Sequence, residues 1–206
     1  MGSCLRILRQ LLERRAKYAL DSAQMQAIAL CMETMTVCLF RRLDDPISLT
    51  EVLCDALVAL FRHRADLCVT IVPQLVRMLS ELVLRGVLKP NSGMLRSDAH
   101  FKYVETVILA VSTQKYSRLY PRIRRLFPML IADLLYLLSG QVVDGKRVLL
   151  TRSAASAVQA LLFTLLQESH EKDLKSMAAS IPSSSLAVFQ EVYPAFSSEH
   201  RFSGNA

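Results

Sequence analysis

This sequence predicts an all-α fold of stacked helical hairpins, a HEAT-like or armadillo-like α-solenoid, and three observations predict it. Apolar residues recur at steps of three and four, as in Leu49, Val52, Leu53, Ala56, Leu57 and Leu60 and again in Leu75, Val76, Leu79, Leu82 and Val83. That spacing puts side chains on one face of a helix. One apolar pattern also repeats: Ile71-Val72-Pro73-x-Leu75-Val76-x-x-Leu79-x-x-Leu82-Val83 aligns with Leu126-Phe127-Pro128-x-Leu130-Ile131-x-x-Leu134-x-x-Leu137-Leu138 at a constant offset of 55 residues, Pro73 to Pro128. Neither copy can bury its stripe alone, so the hairpin implies neighbours that repeat it. Finally, nothing alternates for long in the two-residue period of a strand. The alternative arrangement of the same helices is an irregular bundle.

The elements follow in order. A first helix runs from about Cys4 to Ala19, with Leu5, Leu8, Leu11 and Leu12 on one face and arginines on the other. Asp21 or Ser22 caps a second, to about Arg42, which carries Met25, Ile28, Ala29, Met32, Met35 and Leu39. LDDPISLT is a break in which Pro46 ends one helix and Ser48 or Thr50 caps the next. The central hairpin then spans Leu49 to Arg85, with RHRAD as a polar elbow and Pro73 in the first turn of its second helix, where a missing amide hydrogen is no loss. GVLKPNSG (Gly86 to Gly93) is a loop. Val104, Val107, Ile108 and Val111 mark a fifth helix, RLYPRIRRLFPMLIADLLYLLSG a sixth, and Gly140 its stop. After a turn at Asp144-Gly145 come a seventh helix over about Val148 to Ser169, a short one near Lys172 to Ala179, and a last from about Ser185 to Phe196. The expected organisation is one domain over residues 1–196, in hairpins of about 4–42, 49–85, 99–139 and 147–196, with a polar tail over 197–206.

Composition sets limits. Hydrophobic residues make up 52% of the 206, enough to bury a sizeable core at this length. Charges at Glu33, Arg77, Glu81 and Asp133 interrupt the apolar stretches, so no membrane-spanning run is expected. MGSCLR has Arg6 where an acylation signal wants Ser or Thr, and Arg6, Arg9, Arg14, Arg15 and Lys17 break the first apolar run, so neither a lipid anchor nor a secretory leader is expected. Five cysteines in apolar helical contexts, none paired as C-x-x-C, read as small hydrophobes in an intracellular chain.

The sequence carries little chemistry. His63, His100, His170 and His200 have no second ligand one helical turn away, so no metal is expected, and no phosphate loop or nucleophile elbow is present. Asp44-Asp45 before Pro46 reads as a solvated turn rather than a carboxylate pair. The expectation is a chain without catalysis, cofactor or small-molecule substrate. Its distinctive property is basic: Lys and Arg number 25 against 18 Asp and Glu. The excess clusters at Arg14-Arg15-Lys17, at Arg41-Arg42, at Arg62-His63-Arg64, and at Lys115 through Arg125 with Arg118, Arg122, Arg124 and Arg125. Two readings stand. Such clusters at helix ends can track phosphates along one edge of a hairpin stack, which makes Arg118, Arg122, Arg124, Arg125, Arg62 and Arg64 the candidate RNA contacts. Alternatively, they complement helix dipoles and keep the surface solvated. Leu186, Phe189 and Tyr193 form a candidate face for a partner helix.

The stretch EVLCDALVALFRHRADLCVTIVPQLVRMLSELV, together with the closing LAVFQEVYPAFSSEHRF, resembles the C-terminal domain of the Urb-two (Npa-two) family of nucleolar ribosome-biogenesis proteins, over about Leu49 to Phe202. Those family members are long helical scaffolds in early large-subunit assembly and pre-rRNA processing. The resemblance implies a non-catalytic scaffold in the nucleus and nucleolus. Its implied partners are other pre-ribosome assembly proteins, and pre-rRNA through the basic clusters. The alternative is a HEAT-type protein adaptor unrelated to RNA.

Overall fold

A capping box opens the second helix and shows how local chemistry sets this architecture. The Asp21 carboxylate accepts from the Gln24 amide at 2.7 Å, while the Gln24 side-chain oxygen accepts from the Asp21 amide at 3.1 Å. Two orphan donors are thereby satisfied at once. The computed structural model describes residues 2–14, 19–42, 47–85, 98–113, 118–143, 146–148 and 150–201. Among them the helices are α1 (Gly2–Glu13), α2 (Ser22–Arg42), α3 (Ile47–Cys68), α4 (Val72–Arg85), α5 (Asp98–Ser112), α6 (Tyr120–Arg124), α7 (Phe127–Leu138), α8 (Arg152–Glu168), α9 (Glu171–Ala178) and α10 (Ser183–Arg201). Asp44-Asp45, Pro46, the Gly86 to Gly93 loop, the Asp144-Gly145 turn and residues 202–206 lie outside the described residues.

Among the described residues the regular structure is helical apart from one antiparallel pair, β1 (Gln141–Val143) and β2 (Lys146–Val148), with Val142 opposite Arg147. Strands of three residues are too short to leave a periodic signal, which is why this hairpin was expected only as a turn and as the start of a helix at Val148. The helix instead begins at Arg152, where the Thr151 hydroxyl accepts from the Ala154 amide at 3.2 Å. Three other boundaries move. The first helix stops at Glu13 and not near Ala19. The sixth is split into α6 and α7 by a turn at Arg125-Leu126. The expected polar tail is helical through Arg201. Pro73 and Pro128 are each the second residue of their helices, and Gly140 ends α7's segment at φ 82°.

RHRAD holds the expected elbow: α3 is two helical stretches that meet at a kink at Arg64 (φ −135°, ψ 25°), the second running to Cys68, and a 3-10 turn over Val69–Ile71 leads into α4. The kink coincides with an inward-turned arginine, 3% exposed, whose Nε donates to the Leu12 carbonyl at 3.2 Å and whose second guanidinium nitrogen donates to Leu11 at 3.4 Å. Those carbonyls lie in the last turn of α1, where the helix itself supplies no partner.

Packing follows two rows. In one, α1 lies on α3, α3 on α5 and α5 on α8; in the other, α2 lies on α4, α4 on α7 and α7 on α10. Polar ties mark these steps. Arg9 meets Asp55 at 2.7 Å between α1 and α3, and Tyr103 is hydrogen-bonded to Glu51 between α3 and α5. Thr164 donates to Glu105 at 3.4 Å between α5 and α8. Arg77 meets Glu33 at 2.8 Å between α2 and α4, and Ser80 donates to Asp133 at 3.1 Å between α4 and α7. The exposed Arg9-Asp55 pair contributes little stability, whereas Glu33 and Asp133 are largely withdrawn from water; the ties together fix how one helix is set against the next. The core between the rows holds the expected stripes. Leu53, Leu57, Leu60, Leu75, Leu79 and Leu82 are buried, as are Val104, Val107, Leu130 and Leu134. Burial raises the Asp133 carboxyl above its usual range, partly offset by the Ser80 hydrogen bond.

Candidate functional site

The polar groups converge where α6 meets the end of α8 and the start of α9. Leu119, Tyr120 and Ile123 are buried and anchor this segment, and Pro121 supports its first turn. With those side chains turned inward, Arg118, Arg122 and Arg125, spaced by four and then three, are exposed. Arg124 points the other way. Its Nε donates to the backbone carbonyl of Glu168, the last residue of α8, and its guanidinium carbon stands 5.9 Å from the centre of the Tyr120 ring. The Tyr120 hydroxyl donates to the Glu168 carboxylate. Arg124 therefore serves as a cap for α8, as Arg64 does for α1.

The six candidate RNA contacts thus divide. Arg118, Arg122 and Arg125 share one exposed ridge, and Arg62 is exposed on α3. Arg64 is withdrawn from the set, because a guanidinium buried against two carbonyls presents no charge to a phosphate. Arg124 is occupied by Glu168 and Tyr120. On the expected partner-helix face, Phe189 and Tyr193 are half-buried against the core, with Leu186 half-buried beside them on α10. Ring centres lie 5.2 Å apart for Phe189 and Tyr193, 6.1 Å for Tyr193 and Phe196, and 5.6 Å for Phe196 and Phe163 of α8. That aromatic chain ties α10 to its own fold.

Two hollows adjoin the ridge. One, of about 390 Å³, is lined by Tyr120, Pro121, Arg124, Arg125, His170 and Asp173. The other, about 570 Å³, runs between Pro128, Met129 and Ala132 of α7 and Met177, Ile181 and Pro182. Arg125 and Asp173 border both. Sequence reasoning missed this trough, because α9 and the turn that follows approach α7 only in three dimensions. Met129, 39% exposed, and Tyr136, 44% exposed, are the large apolar residues that α7 leaves open to solvent.

Burial, the Glu168 hydrogen bond and the Glu168 charge push the Tyr120 phenol from 10.0 up to about 12, against the opposing effect of Arg124. A raised folded value means stability that is complete below the unfolded pKa and lost as pH climbs from 10.0 through about 12. Tyrosinate absorbance should show Tyr120 among the late-ionising phenols, and Tyr120→Phe should remove both that ionisation and its share of the alkaline loss of stability. Burial also raises the Cys54 and Cys68 thiols, whereas Cys31 is exposed. Among the described residues no group of three or more His, Cys, Asp or Glu is placed to hold a metal, and no helix is long and apolar enough to cross a membrane.

No family model matches this chain, and no curated protein or solved structure matches it.

Proposed function

We propose that this chain is a non-catalytic α-solenoid scaffold in nucleolar assembly of the large ribosomal subunit. It holds other assembly proteins and meets pre-rRNA phosphates through Arg118, Arg122 and Arg125, with Arg62 as a further contact. The observation that carries the scaffold reading is the row-by-row packing, α1-α3-α5-α8 and α2-α4-α7-α10, joined across the rows most extensively where α7 meets α8. Its nucleolar setting rests on the residue pattern shared with the Urb-two family. The exposed arginine ridge supports the phosphate contact, since it offers charge without a stacking platform, as backbone recognition requires. A second reading, a HEAT-type protein adaptor without RNA, is favoured by the apolar trough beside α7.

The test is the triple variant Arg118→Gln, Arg122→Gln and Arg125→Gln, leaving Arg124 in place as the α8 cap. On the phosphate reading the logarithmic salt slope of RNA binding falls by about one unit per arginine, and nucleolar enrichment of the tagged chain drops. Thermal unfolding should stay within about 0.5 kcal/mol of the parent. Unchanged RNA retention overturns the phosphate contact, and recovery of protein partners that RNase does not release selects the adaptor.

A further inference from the structure

We infer that the trough between α7 and α9 is a docking site for an extended segment of a partner protein, one that carries a bulky apolar side chain next to acidic residues. The inference goes beyond the scaffold reading and requires no nucleic acid. Shape comes first. The α7 wall, from Pro128 to Ala132, covers five residues, about 6 Å of helix rise. That accommodates one or two side chains and not the longer run of anchors that a docked helix presents. A volume near 570 Å³ suits one bulky side chain with its flanking backbone.

Apolar lining alone does not choose an occupant; charge does. At one end stand Arg125, on the wall of both hollows, and then Arg124 and His170 in the adjoining one. Arg124 is held by Glu168 and Tyr120, and Asp173 is the acid among these lining residues, so the charge open to an occupant is that of Arg125 against a single carboxylate. Arg122 adds exposed charge on the same segment. An occupant with Asp or Glu beside its apolar anchor answers that end, and a basic one is repelled. Asp173, Ser176 and Ser180 supply hydrogen-bonding groups along the α9 side, matching the amides of an extended backbone. Met129 and Met177 face the slot with unbranched, polarisable side chains that adapt to more than one apolar anchor.

The experiment pans a phage-displayed library of random peptides on the intact chain, then synthesises the enriched consensus. The expected consensus is Phe, Leu or Met flanked by Asp or Glu. Its addition should shift the carbon-13 methyl signals of Met129 and Met177. Met129→Asp should weaken binding about tenfold or more. That substitution lies in the first turn of α7, where an acid is compatible with the helix dipole. Ile181→Ser, on the opposite wall, is the second variant and should weaken binding too. Arg125→Gln should weaken it less and reduce its salt dependence. No enrichment, a basic consensus, or a consensus peptide bound equally by Met129→Asp and Ile181→Ser would each overturn the docking site. RNA binding measured on Met129→Asp keeps the two readings apart, because that change removes no cation from the arginine ridge.

Discussion

Replacing Leu79 or Leu134 by alanine should cost about 2 to 5 kcal/mol of folding stability, and by similar amounts for the two. The two leucines sit at equivalent places in the repeated pattern, on α4 and α7. They are 2% and 0% exposed, and each is packed in the core between the helix rows. Truncation removes the transfer free energy of the lost carbons and leaves a cavity that rigid helix packing closes only in part. Chemical denaturation midpoints of the two single variants are the measurement. A change below about 0.5 kcal/mol in both would remove the equivalence of the two helices.

Arg64→Ala should be the next most damaging change, at about 1 to 3 kcal/mol, while Arg62→Ala, two residues away, should be close to neutral. The contrast comes from position, since Arg62 is exposed and Arg64 closes the end of α1 by donating to Leu11 and Leu12. Without the guanidinium, those carbonyls lose charged donors in a site that water reaches poorly, and the kink at Arg64 loses its anchor. Unfolding curves of the two variants decide the matter. Amide exchange at Leu12 and Glu13 should also quicken in Arg64→Ala alone. Equal stability of the two variants would show that Arg64 is not a cap.

Much of the fold was legible because burial in helices leaves a period of three and four. The stripes on α3, α4, α7 and α8 were read correctly, as were the first-turn Pro73 and the stop at Gly140. Asp21 as a cap was equally readable, since its reciprocal partner Gln24 lies three residues on. Direction was harder to read. Arg62 and Arg64 look alike in a sequence, and so do Arg122 and Arg124. Which of them turns inward depends on where the ends of α1 and α8 lie, and those ends come from distant parts of the chain. The candidate site suffered the same limit. Arg125 and Met129 were visible on one helical segment, but the residues opposite them, Asp173, Met177 and Ile181, are brought there by the return of the chain after α8.

The pairing of each helix with one two or three places along has a consequence for how this protein is made. Closing such a contact loops out one or two intervening helices, and because loop entropy grows only slowly with length the loss per step is small and similar from one end of the stack to the other. Topologies of low contact order fold quickly, and chains generally fold from the N-terminus as they are synthesised. On a ribosome, α1 acquires its cover when α3 emerges, and α2 when α4 does. Each new hairpin can therefore be laid on a surface already in place, and the amount of apolar surface open to aggregation at any moment stays near that of a single hairpin, however much of the chain remains to be translated.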